Sequence, residues 1–210
     1  MLNYYYYDVY ETLKKKFIEY FTTDKELNEK QTKFKVALEE IKKILDDNNI
    51  TFFLYCGTAL GAHREKKFIE HDKDIDLGLL EDNFYKIKNI MSIIKEKFSI
   101  VHSFPKNIDI NSDFNNCTEV KIKYIYNGVT IDLFKVSKKK NYYVSYSYTN
   151  ICNYKPKKRC EFNNKFDFEE IEFFNKRYLI PNKDFLISHY GEDWNIVKKY
   201  DYNEGLNKGF

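Results

Sequence analysis

The segment 74–79 alternates strictly between apolar and non-apolar positions, and this pattern constrains the fold more than any other part of the chain. Its isoleucine and leucines fall on every second residue, and two aspartates and a glycine lie between them. A two-residue period is typical of a β-strand with one buried face. Asp74 and Asp76 therefore project from the same face, about 7 Å apart along the backbone. The chain must fold so that a sheet presents this pair of carboxylates on one side.

Strands and helices alternate around this segment. The apolar run 50–56 predicts a buried strand, and residues 58–64 predict a short helix after it. A longer helix is predicted over 82–98, with Asp82 as its N-cap and an apolar stripe at helical spacing. Strands mixed with helices on one chain indicate a layered α/β or α+β architecture.

The C-terminal half carries turn signals. Segments 119–126 and 129–136 flank Asn127-Gly128, a dipeptide suited to a two-residue hairpin turn, so we predict an antiparallel pair. Further predicted elements are a short strand at 142–146 within a mobile loop, a hairpin at 168–180 that turns at Asn175-Lys176, and a helix over 181–190 opened by Pro181.

The N-terminal quarter predicts a pair of helices. Apolar and tyrosine side chains recur at three- and four-residue steps over 6–21, and a second stripe runs over 34–45, after a candidate cap at Asp24 and before an end near Asn48-Asn49. We expect three parts: an N-terminal helical appendage over 1–49, a catalytic domain over 50–194 and a C-terminal tail over 195–210.

Composition excludes several classes of protein. The 210 residues carry a net charge of +3 from 35 basic and 32 acidic side chains mixed along the chain, which does not predict a duplex nucleic-acid partner. No stretch approaches the roughly 20 apolar residues of a transmembrane segment, and the N-terminus lacks the pattern of a secretory signal. We expect a cytoplasmic protein, with peripheral contact to a membrane surface as the other option.

A third carboxylate interrupts another apolar strand. Asp132 lies in Ile131-Asp132-Leu133-Phe134, where a charged residue among apolar ones indicates a partner or a function. If this strand lies beside the one that carries Asp74 and Asp76, Asp132 supplies either a third metal ligand or the base for an attacking hydroxyl. Mg²⁺ prefers oxygen ligands and binds one or two carboxylates together with phosphate oxygens. The three aspartates therefore predict a Mg²⁺ site, although a lone Asp-x-Asp is often only a solvated pair.

The turn before the first helix predicts a phosphate site. Gly57 and Thr58 combine a close backbone turn, a hydroxyl and the free N–H groups of a helix start. Arg64, two turns further on, can add a forked donor to a phosphate oxygen, or can be an ordinary surface charge. His71 and Asp72 precede the aspartate pair, and the residues alone assign them no role.

Four blocks in order resemble the LicD family, which includes the fukutin-related proteins. The blocks are Tyr55-x-Gly57-Thr58-Ala59-Leu60-Gly61-Ala62-x-Arg64, Phe68-Ile69-x-x-Asp72-x-Asp74-Ile75-Asp76-Leu77-Gly78, Ile131-Asp132-Leu133-Phe134, and Ile180-Pro181 ahead of His189-Tyr190-Gly191-Glu192-Asp193-Trp194. Two positions depart from the family pattern: His71 stands where an aromatic residue is usual, and Val197 where a proline often follows. Neither departure changes an aspartate. Both bear on the pocket for the donor and the acceptor.

The resemblance implies a nucleotidyltransferase-type fold. Together with the predicted elements, we expect an α+β fold with a mixed sheet, flanking helices and the N-terminal helical pair. The resemblance also implies transfer of a phosphorylated alcohol, such as phosphocholine or ribitol phosphate, from a CDP-linked donor to a hydroxyl of a glycan or lipid-linked glycan, with release of CMP. Asp74, Asp76 and Asp132 match the catalytic, metal-binding positions. Gly57, Thr58 and Arg64 match the donor-phosphate region.

Two other functions share these motifs. A nucleotidyltransferase would move NMP from an NTP to a protein, an RNA or a small molecule, and would release pyrophosphate rather than CMP. A binding module that kept the fold without activity would be expected to have lost an aspartate, and all three are present.

Overall fold

The computed structural model describes residues 28–104, 113–147 and 160–197. Its elements, in chain order, are α1 (28–47), β1 (Phe53–Leu54), α2 (Cys56–Arg64), β2 (Asp74–Leu80), α3 (Glu81–Lys86), a 3-10 turn (Ile87–Ile90), α4 (Met91–Lys97), β3 (Phe98–Phe104), a second 3-10 turn (Phe114–Asn116), β4 (Glu119–Tyr124), β5 (Thr130–Lys138), β6 (Tyr143–Ser147), β7 (Cys160–Asn164), β8 (Phe168–Phe173), β9 (Lys176–Pro181) and α5 (Lys183–Tyr190).

Within these ranges the strands form one mixed sheet. Seven strands follow the order β3-β4-β5-β2-β1-β9-β8, and β6 and β7 extend the sheet from β5. The β2–β5 and β1–β9 pairs are parallel, and the other pairs are antiparallel. The predicted mixed sheet with flanking helices is therefore confirmed.

The centre of the sheet brings two distant segments into register. Strands β2 and β5 run parallel over the whole length of β2, and Asp76 lies directly opposite Asp132. Since parallel neighbours with aligned residues present the same face, the three aspartates share one side of the sheet. The apolar side chains at alternate positions, including Ile75 and Ile131, are fully buried on the other side.

Helix α1 packs on the same core as the sheet. Its six predicted stripe residues are all buried, namely Phe34, Ala37, Leu38, Ile41, Ile44 and Leu45. The helix ends at residue 47, just before the predicted end at Asn48-Asn49. The first predicted helix (6–21) and the Asp24 cap lie outside the described residues, and the proposed boundaries of the three parts stay a prediction.

The helix predicted over 82–98 is interrupted. Glu81, not Asp82, opens α3, and no side chain caps it, so the predicted cap is wrong. Residues Ile87–Ile90 adopt 3-10 geometry, and Ile90 has φ −107° and ψ 12°, outside the helical range, before α4 begins. Phe98 belongs to β3 rather than to the helix, but it is fully buried as its place in the stripe requires.

The hairpin at Asn127-Gly128 forms with a longer loop than predicted. The Tyr124 N–H donates to Val129 O at 2.8 Å, so the loop consists of residues 125–128. Gly128 has φ 78°, a conformation that favours glycine. The antiparallel pair is confirmed and the two-residue turn is wrong.

Other segments differ in their bounds. The predicted strand 50–56 is reduced to Phe53–Leu54, and Cys56, which has φ 38°, already belongs to α2. Pro181 ends β9 instead of opening the last helix, whose cap is Asn182. Strand β6 and the hairpin of β8 and β9 are confirmed, and β3 and β7 were not predicted. The turn of that hairpin lies at Phe174-Asn175, both with positive φ, and not at the predicted Asn175-Lys176, because Lys176 already pairs with Phe173. The predicted mobile loop and C-terminal tail lie mostly outside the described ranges.

Candidate active site

Three carboxylates meet at the centre of the sheet. Asp74, Asp76 and Asp132 each offer one oxygen, and these oxygens lie within 4.8 Å of one another. Asp132 is buried, whereas Asp74 and Asp76 are half-buried. The predicted proximity of the two strands thus becomes a cluster of oxygen ligands.

The turn between β1 and α2 holds Asp76 in place. The Gly57 N–H donates to Asp76 Oδ2 at 2.9 Å, and the Asp76 N–H donates to Thr58 Oγ at 2.9 Å. Thr58 is buried. These groups, which the sequence offered to a phosphate, are bonded to Asp76, so the turn first orients a carboxylate.

Lys121 bridges two of the aspartates from the neighbouring strand β4. Its Nζ lies 2.8 Å from Asp74 Oδ2 and 2.9 Å from Asp132 Oδ2. The register of β4 and β5 places Lys121 directly opposite Asp132. Burial opposes the lysine charge, but Asp132 and Asp74 outweigh it and raise the pKa of Lys121. The Lys121 ammonium group therefore neutralises part of the negative charge of the cluster.

The donor set fits a divalent cation. Asp132 Oδ1 is buried and has no hydrogen-bond partner among the described residues, although a buried carboxylate oxygen normally has one. Burial raises the pKa of Asp132 to about 7, against the opposing charge of Lys121. Burial and the charges of Asp74 and Asp132 raise the pKa of Asp76 well above its usual range. Crowded carboxylates of this kind gain stability when a cation neutralises them.

Two further carboxyl groups border the cluster. An added methyl group on Gly57 would come within 2.7 Å of Asp72 Oδ2 and 3.2 Å of Asp76 Oδ2, so Asp72 lies beside the turn. Burial raises the pKa of Asp72 to about 6. Glu119 is buried on β4, and burial together with the charge of Asp132 raises its pKa to about 8. The site is strongly acidic.

Arg64 lies at the far end of α2, about 10 Å along the helix axis from Gly57. Its Nε donates to Glu65 Oε1 at 3.0 Å, and Nη1 lies 3.5 Å from the Trp194 carbonyl oxygen. The side chain is 10% exposed. The structure therefore brings Gly57 and Thr58 to the aspartates but pairs Arg64 elsewhere, and a phosphate role for Arg64 stays a prediction.

Sequence reasoning missed Lys121 and Glu119. Both stand at alternate positions of the segment 119–123, which signals that they share one face of β4. Which residue faces Asp132 depended on the loop length. A two-residue turn would pair Tyr126 with Val129 and would place Lys123 opposite Asp132.

Comparison with known families identifies this arrangement. Residues 49–183 match the family model described as LicD/FKTN/FKRP, nucleotidyltransferase domain. The match spans more than half of the chain and includes every strand that carries an aspartate. The chain belongs to the LicD family, and the nucleotidyltransferase-type domain expected from the sequence is confirmed.

Similar proteins differ in length and in name. The mouse (Mus musculus) ribitol-5-phosphate transferase FKTN is 25% identical over 181 residues, which cover 80% of this chain and 34% of that protein. Protein RP689 of Rickettsia prowazekii is 26% identical over 114 residues, covering 54% of this chain and 36% of its own length. The chain thus spans about a third of these relatives.

Among solved structures, the lincosamide antibiotic adenylyltransferase LnuA with bound lincomycin is similar, with a TM-score of 0.49 and 13% identity. The similarity covers 82% of this chain and 96% of that chain. In the part of this chain that the structure describes, no helix has the length and apolar character needed to cross a bilayer.

Proposed function

We propose that this chain transfers a phosphorylated alcohol, such as phosphocholine or ribitol phosphate, from a CDP-linked donor to a glycan hydroxyl, with Mg²⁺ bound at the aspartates. The observation that carries the proposal is the cluster of Asp74, Asp76 and Asp132, whose oxygens lie within 4.8 Å of one another on adjacent parallel strands. The unpartnered Asp132 Oδ1 supports a ligand there.

The family supports the same class of chemistry. The LicD model includes fukutin, and the mouse relative carries the name ribitol-5-phosphate transferase. Because this chain covers 34% of that protein, the relative's donor and acceptor enter here only as part of the proposal. The acceptor we propose is a glycan, free or linked to a lipid.

Each aspartate has a role in the proposed reaction. Asp74 and Asp76 would hold Mg²⁺, and Asp132 would be a third ligand or would accept the acceptor's proton. When bound, Mg²⁺ supplies charge neutralisation at the diphosphate. The acceptor oxygen forms a bond to the β-phosphorus, the bond between that phosphorus and the bridging oxygen breaks, and CMP leaves with that oxygen. Positioning by the sheet supplies most of the remaining rate enhancement.

The turn and α2 complete the proposed donor site. Gly57 and Thr58 would lie against the donor phosphates while they hold Asp76. Arg64 would reach a phosphate only after it leaves Glu65, because both Nε and Nη2 contact that carboxylate. Donor binding would therefore be accompanied by a rearrangement at the end of α2.

The alternative is nucleotidyl transfer, which the description of the family as a nucleotidyltransferase domain favours. The same aspartates would bind Mg²⁺ and an NTP, and NMP would pass to a protein, an RNA or a small molecule. The reaction products separate the two functions, since one releases CMP and the other pyrophosphate.

Thermal unfolding with CTP, CDP, CDP-choline, CDP-ribitol, CDP-glycerol, ATP and UDP-glucose, each with Mg²⁺ or EDTA, tests the proposal. A ligand at about 100 times its Kd stabilises by about 2.7 kcal/mol, which raises Tm by about 5–10 °C in a chain of this size. We expect a Mg²⁺-dependent shift confined to CDP-linked compounds. A shift with nucleoside triphosphates alone would favour the alternative, and no shift with any compound would refute both.

Asp76→Asn is the matched variant for turnover of the donor identified in this way. Asparagine keeps the shape and can still accept the Gly57 N–H, but it removes the charge, so kcat should fall by about 10²–10³-fold or more. Asp82→Asn makes the same change at an exposed position outside the site and should leave kcat unaltered. Equal turnover in both variants would contradict the assignment.

A further inference from the structure

Lys121 occupies the position of a cation within the carboxylate cluster. Its ammonium group lies 2.8 Å from Asp74 Oδ2 and 2.9 Å from Asp132 Oδ2. These two oxygens belong to residues that we propose as metal ligands, so a divalent ion at the cluster would lie beside the ammonium group, and the two cations would repel each other. The side chain is 19% exposed, which limits the water available to replace either partner.

The lysine offsets part of a large negative charge. Asp74 and Asp132 pair with it, Asp76 belongs to the same carboxylate cluster, and it is the only lysine or arginine of the described residues that the ion pairs place there. Without it, like charges would repel at short distance in a partly buried site. Lys121 therefore neutralises part of this charge in the metal-free protein.

The surroundings allow the lysine to move when a metal ion enters. Its four-carbon stem is flexible, and an ammonium group accepts new partners in many geometries. Glu119 lies on the same face of β4, two residues away. A donor diphosphate at the cluster would offer further acceptor oxygens.

We propose that Lys121 is an exchangeable internal counter-ion, which pairs with Asp74 and Asp132 in the metal-free protein and is displaced by the divalent cation to donate to the donor diphosphate. This role rests on the proposed function, because it needs a metal and a diphosphate at the same site. Lys121 is then a positioning residue for the ligands before it contacts the donor.

The direction in which Lys121→Met changes the affinity for Mn²⁺ tests the exchange. In Lys121→Met the ion no longer has to displace an ammonium group, so Mn²⁺, titrated without nucleotide by calorimetry, should bind about tenfold more tightly. The same variant should unfold at a lower temperature than wild type in EDTA. Lys123→Met, an exposed neighbour on β4, should match wild type in both measurements. Unchanged or weaker Mn²⁺ binding in Lys121→Met would overturn the proposal.

A measurement on the wild-type protein covers the case in which Lys121→Met does not fold. Acetylation of the Lys121 amine, followed by mass spectrometry, should be slow in EDTA, where the amine is paired, and several-fold faster with Mn²⁺. An unchanged or slower rate with Mn²⁺ bound would overturn the exchange.

Mn²⁺ binding by wild type and by Asp76→Asn distinguishes failure of the proposed function from failure of the lysine exchange. If wild type binds Mn²⁺ and Asp76→Asn does not, the metal site stands and only the lysine measurements decide the exchange. If neither wild type nor Lys121→Met binds Mn²⁺, the metal site and the proposed function both fail.

Discussion

Gly78→Ala should destabilise the fold, because the centre of the sheet has no room for one methyl group. Gly78 lies opposite Phe53 in the β1–β2 pair. A Cβ built on Gly78 would come within 2.9 Å of Phe53 Cδ2 and closer still to two other carbons of that ring. The Phe53 ring is 1% exposed and is packed against Phe168 and Tyr55, with centroids 4.9 and 5.5 Å away. The ring has no open space into which it could move.

The magnitude follows from two opposing effects. Overpacking a well-filled core costs about 1–3 kcal/mol, and contact with a rigid ring belongs at the upper end. Replacing glycine by alanine in a strand returns about 0.5–1 kcal/mol of backbone entropy. The net loss should be about 2 kcal/mol, which lowers Tm by about 4–8 °C in a chain of this length.

Urea denaturation with a double-mutant cycle tests this account. Phe53→Leu alone should cost about 1–2 kcal/mol, because it removes buried ring atoms. In the double variant the smaller leucine leaves space for the new methyl group, so the combined loss should be at least about 1 kcal/mol less than the sum. Stability of Gly78→Ala within about 0.5 kcal/mol of wild type, or simple additivity, would refute the steric explanation.

Two further predictions concern groups around the site. Burial and the charge of Asp132 raise the pKa of Glu119 from 4.5 to about 8, so the folded state keeps a proton that the unfolded chain releases, and stability falls as pH rises between these values. Glu119→Gln, measured by urea denaturation in EDTA, should therefore be more stable than wild type at pH 8 by several kcal/mol and equal to it at pH 4. Lys30 Nζ donates to the carbonyl oxygens of Ile69, Glu70 and Asp72, so Lys30→Met should loosen this loop and speed hydrogen exchange at the Asp72 amide.

Each of these predictions has a control on the same chain. Glu170→Gln alters an acidic side chain that is 68% exposed, and it should not change the pH profile of stability. Lys33→Met alters an exposed lysine on the same helix as Lys30, and it should leave exchange at the Asp72 amide unchanged. A parallel pH profile for Glu119→Gln and wild type, or equal exchange in the two lysine variants, would contradict the respective prediction.

The elements that the sequence predicted best are those with a local period. The stripe of α1 repeats every three or four residues, and each of its predicted members is buried. The alternation in 74–79 predicted both β2 and the shared face of Asp74 and Asp76, because side-chain direction in a strand depends only on position along that strand. The interruption of α3 and α4 was not predicted, since a 3-10 turn can keep the same side chains buried.

The sequence by itself determined which residues could form the site, namely the Asp-x-Asp pair, Asp132 and the Gly57-Thr58 turn. Only the tertiary structure decided how they meet. Strands β2 and β5 are parallel neighbours more than 40 residues apart in the chain, and no local period encodes such a pairing. The length of the 125–128 loop then set the register that places Lys121, rather than Lys123, opposite Asp132. Long-range register depends on the packing of the whole sheet, so only the tertiary structure could identify Lys121 as the residue that pairs with Asp132.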